Sequence, residues 1–265
     1  DLTYKPVENN VLYLGYSKRI MRPEMIQLNP TRLYTDVFSY SVGNPLLNPA
    51  LMDYLEFRYQ YKALNIGVSY VHTSDGIGLL VNDQANLQIV QTYNNCISSN
   101  SLTGNVSYNY SHNRFSAGAQ LSVTYNKSKS SDKSLNDGSL EGFSTVAATN
   151  ITYLLGSKTV AYATYMYCFP GMEQFIHYKS FQNLSLGVNC NLMKNKLILN
   201  VSINDLLGTY FNRNHVVYEG FMFNNRIDNE NRNLKIKLTY KFGNHKVKRS
   251  NVDVNRSNNR LPSAK

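Results

Sequence analysis

Long apolar runs are missing from this sequence. No stretch of 18 or more apolar residues occurs among its 265 residues, and Trp is absent. An α-helix needs about 20 consecutive apolar residues to cross a bilayer, so the sequence predicts no membrane-spanning helix. The mean hydropathy of -0.37 does not exclude membrane-spanning strands, because such a strand needs apolar residues only at every second position.

Charged residues and cysteines are also scarce. Charged residues make up 17% of the chain, and the cysteines are Cys96, Cys168 and Cys190. They form no Cys-x-x-Cys pair and have no His at metal-ligand spacing, so we expect neither a disulfide scaffold nor a metal site. The His residues are isolated from one another and no Gly-x-Ser-x-Gly occurs, so the sequence predicts no catalytic constellation, no cofactor and no enzyme activity.

The net charge of +10 is concentrated towards one end of the chain. The segment 244–265 holds six Lys and Arg and one Asp, a net +5 that is half of the total. A nucleic-acid-binding protein instead places its cations on a folded face with aromatic residues between them. We therefore expect no nucleic-acid partner, and we predict a folded barrel segment, 1–243, followed by a flexible basic tail, 244–265.

Aromatic residues and alternating patterns are abundant. The chain has 21 Tyr and 11 Phe, which fits strands better than helices. In 234–242 the residues Leu234, Ile236, Leu238, Tyr240 and Phe242 alternate with Lys and Thr, and this period of two predicts a strand with one apolar face. Similar segments predict about ten strands, near 11–19, 51–62, 64–73, 86–110, 115–127, 143–155, 159–168, 181–193, 197–207 and 231–242.

The connections between these segments alternate in length. Short turns lie at 62–63, 111–114, 156–158 and 193–196, whereas long connections lie at 20–50, 74–85, 128–142, 169–180 and 208–230. Bacterial outer-membrane barrels have this arrangement, with the short turns in the periplasm and the long loops outside. We therefore predict an all-β fold, an antiparallel transmembrane β-barrel whose lumen is lined by the polar strand faces.

Proline-rich motifs precede the second predicted strand and carry a family resemblance. They are Tyr-Ser-Lys-Arg-Ile-Met-Arg-Pro at 16–23, Leu-Asn-Pro at 28–30 and Gly-Asn-Pro-Leu-Leu-Asn-Pro at 43–49. With the final Leu-Thr-Tyr-Lys-Phe-Gly at 238–243, they resemble the C-terminal half of TonB-dependent receptors, and more narrowly the outer membrane β-barrel family common in Bacteroidetes. Pro cannot donate a ladder hydrogen bond and Gly43 can adopt positive φ, so the motif predicts a structured loop. Ala50 departs from the family, which usually has Glu there.

The resemblance implies more than these strands. It implies a parent barrel of about 22 strands with an N-terminal plug, of which this chain is the C-terminal part. The protein would be integral to the cell outer membrane, with the tail 244–265 in the periplasm. Its partners would be the lipid bilayer, a plug domain of the same parent chain and a TonB-like energy-coupling protein. The ligand, a small molecule, a glycan or a peptide, would be captured by the outer loops and transported.

The loop 208–230 is rich in aromatic residues for an exposed connection. Aromatic side chains supply binding area at low entropic cost, so the candidate ligand-contacting residues are Tyr210, Phe211, His215, Tyr218, Phe221 and Phe223. The alternative is that these residues pack the loops of a large barrel on one another.

Two further functional classes stay open at this point. The first is a self-contained ten-stranded outer-membrane pore or rim enzyme, for which His72 with Asp75 or His177 with Glu173 would be an acid–base pair. The second is a secreted β-sandwich adhesin, whose strands also alternate. Polar faces made of Ser, Thr, Asn, Gln and Gly, with Tyr near the strand ends, favour the barrel over the sandwich.

Overall fold

A computed structural model describes residues 1–7, 9–84, 88–135, 139–173, 175–218, 221–227 and 231–242. At 82–84, 88, 134, 212, 217, 218, 221, 223 and 227 it describes the backbone alone. The predicted tail, 244–265, lies outside the described residues. Within the described part, no helix has both the length and the apolar character that crossing a membrane requires.

Strands make up most of the described chain. They are β1 Leu2–Val7, β2 Asn10–Met21, β3 Leu33–Tyr34, β4 Ser39–Ser41, β5 Ala50–Tyr61, β6 Leu64–Gln84, β7 Gln88–His112, β8 Phe115–Ser130, β9 Ser139–Leu154, β10 Thr159–Cys168, β11 Gly171–Glu173, β12 Ile176–Tyr178, β13 Phe181–Leu192, β14 Leu197–Asn204, β15 Asn212–Tyr218, β16 Phe221–Ile227 and β17 Asn233–Tyr240. The short helices are α1 Met25–Leu28 and the 3₁₀ turns Lys133–Leu135 and Met193–Asn195.

The main sheet is a curved wall of antiparallel strands in chain order. Its path is β1-β2-β5-β6-β7-β8-β9-β10-β13-β14-β17, and in the described residues β1 and β17 do not pair with each other. The ten predicted strands are all present on this path, and β1 is an additional one. The prediction of an all-β antiparallel partial barrel is therefore confirmed.

Several connections predicted as loops contain strands instead. The segment 74–84 continues β6, which pairs with β7 as far as Gln84 opposite Gln88. Gly76 and Gly78 lie beside a bulge in this ladder, where they allow close approach: a Cβ at Gly78 would be 2.7 Å from the sulfur of Cys96. The segment 208–230 contains the hairpin of β15 and β16.

The strand register puts apolar and polar residues on opposite faces of the wall. One continuous apolar row crosses seven strands and consists of Tyr110, Ala117, Ile151, Ala163, Leu186, Ile203 and Leu234. The neighbouring row on the other face consists of Asn109, Gly118, Asn150, Thr164 and Ser185. On β17 the side chain of Leu238 is 65% exposed, which suits contact with lipid and not with water.

Aromatic residues border the apolar face at both ends of the strands. Those near the short turns are Tyr61, Tyr110, Phe115, Tyr153 and Tyr240, and those near the long loops are Tyr16, Tyr70, Tyr125 and Tyr165. On β8, Phe115 and Tyr125 are ten residues apart, about 33 Å along a strand and about 25 Å across the membrane at a tilt of about 40°. This matches the height of the apolar band expected of outer-membrane barrels.

The outer belt of Tyr residues also reaches polar partners. The hydroxyl groups of these tyrosines donate hydrogen bonds of 2.6–2.8 Å to Asp53, Asn100, Glu141 and Gln182, respectively. A ring in the apolar layer with its hydroxyl in a wet layer is the arrangement that favours Tyr at membrane interfaces.

A second sheet lies among the long loops. Its order is β11-β12-β15-β16, so it joins the connection after β10 to the connection after β14. Beside it is a hydrophobic core built from Leu80, Val81, Cys96, Ile97, Leu135 and Phe175, against which Leu140 and Val216 pack. Burial raises the pKa of the Cys96 thiol in this core. The loops therefore form a packed outer body on the wall.

Candidate ligand-binding mouth and lumen

A tight turn after β14 positions Tyr210, the first of the predicted ligand-contacting residues. Asp205, with a positive φ of 47°, accepts hydrogen bonds from the backbone N–H groups of Thr209 and Tyr210 at 3.1 and 3.2 Å. The amide of Asn231 donates to the carbonyl of Tyr210 at 3.1 Å. These bonds satisfy the turn's backbone groups locally and set the direction in which Tyr210 leaves it.

Tyr210 reaches a polar hollow in the lumen face of the wall. The hollow has a volume of about 460 Å³, and its lining includes Asn109, Gln120, Asn150, Thr164 and Asn183. The ring of Tyr210 also packs edge-on against Phe181, with 5.6 Å between centroids. The hollow thus combines amide and hydroxyl groups with an aromatic ring at its edge, the lining typical of a site for a polar ligand.

Gly118 creates the depth of this hollow. A Cβ at this position would lie 2.5 Å from Oδ1 of Asn150 and 2.9 Å from Oδ1 of Asn109. The glycine therefore lets two amide groups from neighbouring strands converge over the β8 backbone. Sequence analysis identified the polar faces of these strands but did not predict that these amide groups converge, because the register that brings them together is not encoded in any local motif.

Phe211, the second predicted residue, is close to two guanidinium groups. The Cζ atom of Arg213 is 4.3 Å from the ring centroid of Phe211, and that of Arg226 is 5.3 Å from it. Both distances are within the range of cation–π attraction. The ring therefore holds two cations in place on β15 and β16.

His215, the third predicted residue, stacks on His177. The two residues are directly opposite in the β12–β15 ladder, and their rings are nearly parallel, with 4.8 Å between centroids and an interplanar angle of 8°. Burial, and secondarily the nearby His215, lower the pKa of His177. His177 is therefore kept in its neutral form to a lower pH than a free imidazole.

The remaining predicted contact residues are only partly described. Tyr218 and Phe221 form the last backbone pair before the turn of the β15–β16 hairpin, and Phe223 pairs with Val216. The side chains of Tyr218, Phe221 and Phe223 lie outside the described residues. Their contact with a ligand stays a prediction.

The two acid–base pairs considered for a rim enzyme have other arrangements. Nδ1 of His72 is 2.9 Å from Oδ1 of Asn100, and Asp75 lies in the β6 bulge with a φ of 54°. His177 is opposite Met172 in the β11–β12 ladder, whereas Glu173 is opposite Ile176, so successive residues place Glu173 and His177 on opposite faces.

The proline-rich loop motif has a structural role. Asn48 and Asn95 bind reciprocally: the backbone N–H of Asn48 donates to Oδ1 of Asn95 at 2.7 Å, and Nδ2 of Asn95 donates back to the carbonyl of Asn48 at 2.9 Å. Gly43 does not adopt a positive φ. This glycine is required by close approach, because a Cβ there would lie 2.6 Å from backbone atoms of Asn29. Ala50, where the family usually has Glu, is fully buried.

A second hollow lies in the lumen face nearer the short turns. It has a volume of about 610 Å³ and is lined by residues of β2, β5, β6, β7 and β8. The guanidinium of Arg58 lies over the ring of Tyr13 at 5.2 Å and forms an ion pair with Glu56. These two residues are the charged groups of this hollow, and the polar face of β17 carries further charge at Lys235 and Lys237.

Comparison with solved structures shows the same fold. Two structures of mutants of the ferric enterobactin receptor of Pseudomonas aeruginosa match at 14% sequence identity. One match covers 78% of this chain with a TM-score of 0.51, and the other covers 80% with a TM-score of 0.53. The chain spans about a third of the length of these receptors, 34% in each case. No curated protein matches the sequence.

The family model of the outer membrane protein beta-barrel family matches residues 1–240. This range includes every strand of the wall and every strand of the outer sheet. The apolar outer face, the two aromatic belts and the polar lumen face are the physical basis of that match. The chain therefore belongs to the outer membrane protein beta-barrel family, and its place is in the lipid bilayer of the outer membrane.

Proposed function

We propose that this chain is the wall and mouth of an outer-membrane receptor that captures a ligand at its outer loops and passes it into the lumen. The observation that carries the proposal is the position of Tyr210. This residue belongs to an outer connection and also lines the polar hollow of the lumen face. A ligand held by the outer body would thus be next to the groups that line the passage.

The partners of this function follow from the proposal. A wall that covers about a third of the matched receptors leaves room for a plug domain and further strands in the parent protein. Uptake through a plugged lumen requires energy, which we assign to a TonB-like coupling protein. The tail 244–265 would be periplasmic, and the Bacteroidetes origin stays a prediction from the loop motif. The role would be transport without catalysis.

A self-contained ten-stranded pore is the less favoured alternative. It would require the first and last strands of the wall to pair, whereas β1 pairs with β2 and β17 with β14. The matched receptors have far longer chains, which favours a larger barrel.

Solute depletion by intact cells tests the proposed function. Three strains would be compared by mass spectrometry of the medium: one with the parent gene, one without it, and one that lacks the energy-coupling protein. We expect at least one solute to be depleted only when both proteins are present. Identical depletion by the three strains would overturn the proposal.

A pair of tyrosine variants then tests whether Tyr210 contributes to uptake of the ligand. We expect Tyr210→Ala to slow depletion of the identified solute severalfold, because it removes the ring that lines the hollow. Tyr34→Ala is the matched control, since Tyr34 is 63% exposed in another outer connection. Equal effects of the two substitutions would show that Tyr210 has no special role.

A further inference from the structure

Three consecutive short turns at one end of the wall carry cations. Arg114 lies in the turn between β7 and β8, and Lys158 lies in the turn between β9 and β10. Lys194 and Lys196 lie in the turn between β13 and β14. All four residues are exposed. We call Arg114, Lys158, Lys194 and Lys196 the cationic rim.

The three turns are neighbours in space. The carbonyl of Arg114 accepts a hydrogen bond of 2.8 Å from the backbone N–H of Leu154, at the end of β9. The carbonyl of Lys158 accepts one of 2.7 Å from the backbone N–H of Asn191, near the end of β13. Successive turns are two strand spacings apart, about 10 Å. The cationic rim is therefore an edge of about 20 Å.

No acidic residue lies among the described residues of these turns or of the strand ends that adjoin them. Between Asp83 and Asp253 the sequence has Asp and Glu only at 132–141, at 173, at 205 and at 219–230. These positions belong to the long connections or, for Glu141, to the part of β9 beside one. The segment 244–265, which follows β17 in the chain, holds six Lys and Arg against one Asp. The adjoining sequence therefore adds net positive charge.

The opposite end of the same strands has mixed charge. There Nζ of Lys127 is 3.1 Å from a carboxylate oxygen of Glu141, and the hydroxyl of Tyr125 donates to the same carboxylate at 2.8 Å. Neither ion pair among the described residues includes a residue of the cationic rim. The cations of the rim repel one another, and an anionic surface beside them would offset this repulsion.

Apolar side chains accompany the cations in these turns. Leu155 and Met193 are both more than half exposed. Such exposure is unfavourable in water, but at a lipid interface an apolar side chain enters the edge of the hydrocarbon layer. The apolar stems of Lys and Arg lie along this layer while their charged groups reach the headgroups. The turns thus have the composition of a surface that contacts charged lipid.

The cationic rim continues the lipid-facing surface of the wall. Ile151, Tyr153 and Leu155 are alternate residues of one segment, so the apolar face extends from β9 into its turn. Tyr153 belongs to the aromatic belt, and such belts lie at the level of the headgroups. A cation just beyond the belt is therefore at the depth of lipid phosphates.

We propose that the cationic rim binds the headgroups of acidic phospholipids in the leaflet at the short-turn end of the wall. The short turns of outer-membrane barrels face the periplasm, so this is the periplasmic leaflet. The choice of leaflet rests on the orientation used in the proposed function. The preference for acidic headgroups does not depend on transport.

Electron spin resonance of spin-labelled lipids tests this preference. The parent protein is refolded in phosphatidylcholine vesicles that contain a trace of spin-labelled phosphatidylglycerol or of spin-labelled phosphatidylcholine. The measured quantity is the fraction of each probe whose motion is restricted at the protein surface. At low salt we expect phosphatidylglycerol to be enriched there at least twofold over phosphatidylcholine. The enrichment should fall as salt is added, because exposed charges are screened.

A triple variant of the rim lysines tests where the lipid binds. Lys158→Gln, Lys194→Gln and Lys196→Gln together remove three positive charges from the rim, so the enrichment of phosphatidylglycerol should fall close to one. Replacement of the same lysines by Arg keeps the charge and should keep the enrichment. The restricted fraction of the phosphatidylcholine probe shows, in the same samples, that each variant is inserted.

The matched control removes three lysines from the other end of the wall. It combines Lys18→Gln, Lys127→Gln and Lys129→Gln. Acidic residues accompany the cations at that end, where Asp53 is opposite Lys18 in the β2–β5 ladder and Glu141 binds Lys127. We therefore expect the control to change the enrichment little.

Two results would overturn the inference. Equal losses of enrichment in the rim variant and the control would mean that the lipid is attracted by total charge and not by the rim. No enrichment in the unmodified protein would leave the rim for an acidic protein partner. Coupled uptake without enrichment leaves the receptor function standing, and enrichment without coupled uptake leaves the lipid site standing.

Discussion

The membrane wall and the outer body of this protein are stabilised in different ways. In the wall, apolar side chains such as Leu238 remain highly exposed because lipid is their solvent, and the backbone ladder satisfies the polar groups. In the outer body, Phe175 is 2% exposed inside a core of the water-soluble kind. An exposed apolar side chain stabilises the wall, where it contacts lipid, whereas the outer body is stabilised by buried apolar side chains. The exposed fraction of a side chain therefore does not by itself measure the importance of a residue here.

Removal of a core side chain in the outer body should have the largest effect. Phe175→Ala would leave a cavity among Leu135, Val81 and their neighbours, at a cost of about 3–5 kcal/mol. Hydrogen exchange should show faster exchange of the outer sheet and unchanged exchange of the wall. Phe38→Ala, at a residue that is 62% exposed, is the control. Loss of protection throughout the wall would mean that the two regions form one cooperative unit.

A charge on the apolar face should have the next largest effect. Leu238→Arg would place a guanidinium in the hydrocarbon layer and destabilise the wall by about 2–4 kcal/mol if the residue lies near the bilayer centre. Lys237→Gln, on the polar face of the same strand, should change stability little. Both are measured by urea titration of the parent protein refolded in lipid vesicles. Equal effects would contradict the assignment of the two faces.

A smaller effect is expected in the loop that docks on β7. Gly43→Ala would bring a Cβ to 2.6 Å from the backbone of Asn29, and this crowding should cost about 1–3 kcal/mol. The control is Gly104→Ala in the wall, where a Cβ would meet no atom within 4 Å. Limited proteolysis of the loop should accelerate for the first variant only. Unchanged cleavage would show that the loop can shift to accept the methyl group.

The pH dependence of the outer sheet should be the smallest effect. The pKa of His177 is lowered in the folded state, so the unfolded state binds more protons and stability falls with decreasing pH. The protection factors of β12 and β15 amides, after correction for the intrinsic pH dependence of amide exchange, should fall as the pH drops below about 6.5. In His177→Asn this fall in protection should be lost. A dependence that persists in the variant would assign it to another group.

The wall could be predicted from the sequence because its strands and their faces depend on the alternation of residues close together in the chain. Alternation of Leu234, Ile236 and Leu238 with lysines decides both the strand and its two faces, and the turn lengths order the strands. The outer body could not be predicted in this way. Phe175, Cys96 and Val216 come from three distant segments, and their contact depends on how the loops fold over one another.

The candidate site shows the same limit. The aromatic character of 208–230 indicated a functional or packing role, but the hairpin within it and its pairing with β12 depend on long-range register. The stacking of His177 on His215 is visible only after that register is known, because the two residues belong to different connections.

The β6–β7 hairpin gives the outer body its geometry. Strand β6 continues for 14 residues from Tyr70, in the outer aromatic belt, to Gln84. This is about 45 Å of strand. One flank of the hairpin supplies Leu80, Val81, Cys96 and Ile97 to the core, and β4 pairs with its β7 strand. Other outer segments therefore pack against this hairpin or pair with it. Substitutions in this hairpin would therefore disturb several outer segments at once while the membrane wall stays the same.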